Sequence, residues 1–110
     1  MSSENLLTST DVLHLLVKGI DKTTLEAKLS ISSWTFTLAQ GGSKSGQGKI
    51  WISPNSQCSV RIMTQPNGLS YVRVYNGPGG GAPGEQPLNE LGKPGSRRET
   101  HFNLISSPNS

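Results

Sequence analysis

Two arginines, a lysine and a histidine are the residues whose types and spacing suggest chemistry. Arg61 lies in Cys58-Ser59-Val60-Arg61-Ile62-Met63, and Arg73 in Leu69-Ser70-Tyr71-Val72-Arg73-Val74-Tyr75. Lys49 opens Lys49-Ile50-Trp51-Ile52-Ser53. Each segment alternates with a period of two, the pattern of a half-buried strand. If Ile50, Ile52, Cys58, Val60, Ile62, Val72 and Val74 turn inward, Lys49, Arg61 and Arg73 emerge on the open face beside Trp51, Tyr71 and Tyr75. Cations interleaved with aromatic rings suit a ligand that carries phosphates and stackable bases. An open antiparallel face without any ligand has similar residue types, and that reading stays beside the first.

The histidine comes from the other end of the chain. Thr100-His101-Phe102-Asn103-Leu104-Ile105 reads as a last strand, with Phe102 and Leu104 inward. His101 and Asn103 then face outward, and in the same sheet His101 joins Lys49, Arg61 and Arg73. Arg97 and Arg98 arrive just before it. Imidazole titrates near neutrality and can take the proton of an RNA 2′-hydroxyl. Guanidinium and ammonium groups can stabilise the charge that builds on the phosphate, without a metal. An exposed strand histidine with no chemical role is the competing reading.

These residues need a scaffold. Thr8 and Asp11 mark a helix start, Val12, Leu13, Leu16 and Val17 recur at helical spacing, and Gly19 marks the stop. Asp21 caps a second helix whose Leu25 and Leu29 share a face, ending near Ser30. Trp34-Thr35-Phe36-Thr37-Leu38 is the expected first strand, with Trp34 and Phe36 joining helices to sheet. Gln40 to Gly48 is a Gly-rich loop, and Gln65-Pro66-Asn67-Gly68 is a hairpin turn in which Asn67-Gly68 suits positive dihedrals. Asn76 to Ser96 reads as a flexible crossing or a lid. Its Gly77-Pro78-Gly79-Gly80-Gly81 run lacks the terminal Gly-Lys-Ser/Thr and a following helix, so it is not a nucleotide-binding loop.

Composition agrees. The chain has 110 residues, 13 of them Gly and 7 Pro, and only 32% are hydrophobic, which favours a small sheet with long loops. Residues 41 to 110 hold seven Lys or Arg against three Glu, and no acid occurs between Glu26 and Glu85. Such a stretch is the electrostatic footprint of an anionic partner. Cys58 stands alone on an apolar face, so neither a disulfide framework nor a Cys/His metal cluster is expected. No apolar run approaches the roughly 18 residues of a membrane span, and the N-terminus lacks the pattern of a signal peptide.

In their order along the chain, several short motifs resemble the C-terminal toxin domains of bacterial polymorphic and contact-dependent inhibition toxins. They are Leu25 to Trp34, Gly41-Gly42, Val60-Arg61-Ile62-Met63, Tyr71-Val72-Arg73, Gly92-Lys93-Pro94 and Thr100-His101-Phe102. Many such domains are placed with barnase, the tRNA-cleaving colicins and the RelE-type toxins. The resemblance implies His101 as acid/base, Arg61 and Arg73 as phosphate stabilisers, and Lys49 and Thr100 as supporting groups. Trp51, Tyr71, Tyr75, Lys93, Arg97 and Arg98 would contact RNA.

The expected fold is therefore α+β: two short N-terminal helices on a curved antiparallel sheet of four to five strands. It would span residues 8 to 105, between a disordered leader (1 to 7) and a disordered tail (106 to 110). The expected function is a metal-independent endoribonuclease toxin acting on tRNA or other structured RNA. It would use no cofactor and be neutralised by an acidic immunity protein. It would not engage a membrane, and would act in the cytoplasm of the producing cell or of a target reached through a secretion system. Alternatives are a non-catalytic binder of single-stranded RNA or DNA and an antitoxin-like interaction module.

Overall fold

Helix α1 (Ser9–Lys18) starts where the sequence provides a reciprocal cap. The structure, a computed structural model that describes residues 8 to 40 and 46 to 105, shows both halves of it. Asp11 N–H donates to Thr8 Oγ1 (3.3 Å) and Thr8 N–H to Asp11 Oδ2 (3.0 Å), satisfying amides that a helix start leaves without partners. Val12, Leu13 and Leu16 form the buried face, while His14 is exposed. Gly19, at φ 102°, ends the helix by donating to the Leu15 carbonyl. Helix α2 (Lys22–Ile31) is capped by Asp21, which accepts from the Thr24 amide and hydroxyl. Those bonds hold the Asp21 carboxyl below its ordinary range. The expected leader, tail and centre of the Gln40–Gly48 loop lie outside the described residues.

Five antiparallel strands follow in sequence order: β1 (Thr35–Gln40), β2 (Gln47–Ile52), β3 (Ser59–Thr64), β4 (Ser70–Tyr75) and β5 (Phe102–Asn103). The fold is α+β, and the sheet is not closed into a barrel. Helices α1 and α2 cover one face of this sheet. There Val60, Ile62, Val72 and Val74 meet Val12, Leu13, Leu16, Leu25 and Leu29 in one core. Cys58 is buried in the same core, and desolvation pushes its thiol up from the ordinary cysteine pKa. No helix among the described residues is long and apolar enough to cross a membrane.

The β3–β4 turn differs from the expected one. Only Gly68 takes a positive φ (89°), and Asn67 does not. Pro66 fixes a negative φ that suits the second position of a type I turn, and Gly68 supplies the left-handed residue after it. The Gln65 amide then closes the hairpin on the Leu69 carbonyl.

Strand β2 is turned over relative to the reading from sequence. Register pairs Trp51 with Val60 and Lys49 with Ile62, so both lie on the helix-covered face. Trp51 is 4% exposed and donates its indole N–H to Glu26 of α2 (3.2 Å). Lys49 crosses the Phe36 ring (4.5 Å to the centroid) to reach the same carboxylate at 3.7 Å. Ile50 pairs with Arg61 and joins the other face, where Gly80 packs over it. The large indole fills the gap beneath α2, and a loop from far along the chain covers the isoleucine that this displaces.

Candidate functional site

The arginines and the histidine do share the face away from the helices. Arg61 and Arg73 are direct neighbours in the β3–β4 register, and Met63, Tyr71 and Asn103 continue that face. Phe102 pairs with Val72 and packs against the core, which sets the parity of the chain end. His101 accordingly projects to the arginine side and stacks on Tyr71, with ring centroids 4.5 Å apart and planes 18° from parallel. Its Nε2 lies 3.1 Å from Asn103 Oδ1. In the tautomer that makes this bond Nε2 is the donor to the amide oxygen, and Nδ1 is the ring's acceptor.

The last strand is shorter than expected, and the shortening builds the site. Ser96 and Glu99 exchange hydrogen bonds, Ser96 N–H to Glu99 Oε1 (3.0 Å) and Glu99 N–H to Ser96 Oγ (3.2 Å). This reciprocal cap winds residues 97 to 100 into a turn, leaving only Phe102 and Asn103 on the sheet. Thr100 closes the turn fully buried. Its hydroxyl accepts from Arg73 Nη1 (2.7 Å) and donates to the Ser96 carbonyl (2.9 Å). Arg73 Nη1 also donates to the Arg97 carbonyl (3.1 Å). Thr100 is thus a positioning residue: it fixes the angle of the Arg73 fork, whose other N–H groups make no hydrogen bond among the described residues.

Arg73, Arg97, Arg98, His101 and Asn103 line an open cavity of about 480 Å³. None of these side chains is acidic, and Glu99 is turned back onto its own turn. The arrangement can hold an oxyanion on guanidinium N–H groups beside a ring nitrogen able to accept a proton. Asn103, whose amide orients the imidazole, was not among the residues expected to form a site. Parity alone places it beside His101.

Other expected site residues lie elsewhere. Arg61 donates to the Gly80 carbonyl (3.2 Å), beneath the loop that follows β4, and does not line the cavity. Lys49 and Trp51 belong to the opposite face, for the reasons given above. Tyr75 is 9% exposed, with Gly81 against its ring, and burial pushes its phenol up from the ordinary tyrosine pKa. Neither Trp51 nor Tyr75 is therefore available to stack a base. Lys93 sits in a separate exposed turn, where its backbone pairs with Asn89, and Gly92 approaches Leu13 of α1.

The Asn76–Ser96 segment, expected as a flexible crossing or a lid, is held by hydrogen bonds and by one core side chain. The Leu88 side chain enters the core and its amide donates to the Val74 carbonyl. Ser59 Oγ donates to the Gly77 carbonyl (2.6 Å) and accepts from Gly80 N–H (2.8 Å). Glu85 holds the glycine run from outside, accepting from Gly79 N–H (2.6 Å), Gly81 N–H (2.9 Å) and Ala82 N–H (3.2 Å). The amides of this run already hold a carboxylate, in the place a phosphate would take in an anion-binding loop. Glu85→Ala should lower stability by about 1–2 kcal/mol and speed hydrogen exchange at Gly79, Gly81 and Ala82. Unchanged exchange there would show that the carboxylate does not latch the loop.

Among the described residues, no group of three His, Cys, Asp or Glu side chains comes together that could hold a metal ion. No family model matches the chain, and no curated protein or solved structure gives a match. Any functional reading therefore rests on the cavity and the residues that build it.

Proposed function

We propose that this protein is a metal-independent endoribonuclease that uses His101 as its proton-transfer group. The observation that carries the reading is the placement of the imidazole, stacked on Tyr71 and opening into a cavity walled by Arg73, Arg97 and Arg98. In this scheme the scissile phosphate sits on the Arg73 fork. Nδ1 of His101 takes the proton of the adjacent 2′-hydroxyl, whose oxygen forms a bond to phosphorus. The bond from phosphorus to the 5′-oxygen breaks, and that oxygen takes a proton from the solvent that enters the cavity. Arg73 and its arginine neighbours stabilise the extra negative charge on the phosphoryl oxygens.

Burial of Trp51 and Tyr75 counts against passive binding of single strands, which needs several free rings. Tyr71 is the remaining one of the three, and it already carries the imidazole. Within the proposal the substrate is structured RNA, tRNA foremost. The cellular role is that of a toxin restrained by an acidic partner protein that covers the cationic cavity.

The test is incubation of the purified protein with structured RNA in EDTA. The expected products end in a 2′,3′-cyclic phosphate and a 5′-hydroxyl, and DNA of the same sequence stays intact because it lacks the 2′-oxygen. Intact RNA, or fragments bearing 5′-phosphates, would reject this mechanism.

A further inference from the structure

A second cavity, of about 270 Å³, opens between α2 and strands β1, β2 and β3 on the helix-covered face. Six of its side chains define its chemistry: Lys22, Glu26, Leu38, Lys49, Ile62 and Thr64. It shares no lining residue with the arginine–histidine cavity, which lies on the other face of the sheet. What it binds is therefore independent of the RNA reading.

The charges in this cavity are held apart. Lys22 and Glu26 stand four residues apart on α2, the spacing of a helical ion pair, yet each turns to a partner on the sheet. The Lys22 ammonium donates to Thr64 Oγ1 (3.2 Å), a neutral hydroxyl that leaves its charge in place. Glu26 Oε2 takes the Trp51 indole N–H (3.2 Å) and faces the Lys49 ammonium at 3.7 Å. Lys49 rests on the Phe36 ring, 4.5 Å from its centroid, and makes no hydrogen bond among the described residues. Two ammonium groups thus line one small space with most of their N–H donors unused, against a single carboxylate.

That balance suits a monoanion. A phosphate monoester would bring a second negative charge toward Glu26, and ammonium groups lack the planar fork by which arginine favours phosphate. Leu38 and Ile62 supply an apolar wall, and Leu38 is 80% exposed, so an apolar body laid against it would take that surface out of water. We infer that this cavity binds a small aliphatic carboxylate. The carboxylate bridges the Lys22 and Lys49 ammonium groups, and the short chain lies along Leu38 and Ile62. The volume sets the size of the ligand at a few carbon atoms.

Butyrate is the probe, followed in proton–nitrogen NMR spectra of the full chain through the Trp51 indole N–H, which is bonded to Glu26 at the cavity wall. Butyrate should shift that signal saturably, with a Kd on the order of 1 mM, and butylammonium at the same concentrations should not. Lys22 is exposed, so Lys22→Gln should fold normally and weaken butyrate at least about tenfold, while Lys22→Arg should keep most of the binding. Leu38→Ser should weaken butyrate and leave the binding of formate, which has no chain, unchanged. The absence of a saturable shift, or equal shifts from butyrate and butylammonium, would overturn the inference. Undiminished butyrate binding by Lys22→Gln or Leu38→Ser would overturn it too, as would inorganic phosphate binding more tightly than butyrate. RNA cleavage plays no part in this readout, so the result stands whether or not His101 acts on RNA.

Discussion

Replacing His101 with alanine should reduce RNA cleavage by about 100-fold or more, equivalent to about 2.7 kcal/mol of transition-state stabilisation. The loss should fall on kcat, with KM little changed, because the arginines proposed to hold the phosphate remain in place. Folding should be unaffected, since the ring is only half-buried and its contacts are one stacked tyrosine and one exposed asparagine. Arg73→Ala offers the complementary result, a loss in both parameters, because in the proposed mechanism the fork binds the ground state and the charged transition state alike. Arg73→Lys should not restore activity: one ammonium cannot keep the Thr100 and Arg97 contacts and also present a fork to phosphate. Single-turnover cleavage of an end-labelled RNA hairpin separates these cases. Undiminished cleavage by His101→Ala would remove the imidazole from the mechanism.

That site was partly legible from sequence, for identifiable reasons. In β3 and β4 the aliphatic residues at Val60, Ile62, Val72 and Val74 all have one parity, so the side taken by Arg61 and Arg73 follows from them. The same logic at Phe102 places His101, and the register agrees. β2 offers no such asymmetry. Lys49-Ile50-Trp51-Ile52 has apolar bulk on both parities, and the choice is made by Glu26 of α2 on one side and Gly80 on the other. Those partners lie 25 residues before Trp51 and 30 after Ile50, beyond the reach of a local pattern.

The anchoring of the segment after β4 is hidden for a different reason. Its Gly and Pro content does predict irregular backbone, but not the side chains that fix it. Glu85 acts on amides three to six residues earlier, and Leu88 enters the core. In contrast, the Ser96-x-x-Glu99 spacing is a capping-box signal, and with it the turn that buries Thr100 and aims Arg73 can be found from sequence. Helix caps and strand parity are local properties and can be read. A buried face selected by distant contacts cannot.

Trp51→Ala separates the two roles that this residue's position could imply. A stacking platform on an open face would lose about 1–3 kcal/mol of RNA affinity and little stability. A tryptophan wedged between β2 and α2 should instead cost about 3–5 kcal/mol of folding free energy, a large share of the 5–15 kcal/mol typical of a domain. The second outcome is expected, because the indole is 4% exposed, packs 4.9 Å from the Phe36 ring and bonds to Glu26. Urea denaturation should show a lower midpoint with an unchanged slope, the signature of lost stability within a two-state transition. Trp51→Phe keeps part of the ring volume but leaves Glu26 without the indole donor, so its loss should be smaller, about 1–2 kcal/mol. Tyr71→Ala provides the contrast on the other face: near-native stability, with RNA cleavage impaired because His101 loses the surface on which it stacks. If Trp51→Ala unfolds at the wild-type urea concentration yet binds RNA poorly, then β2 presents the opposite face, and Lys49 returns to the group around His101.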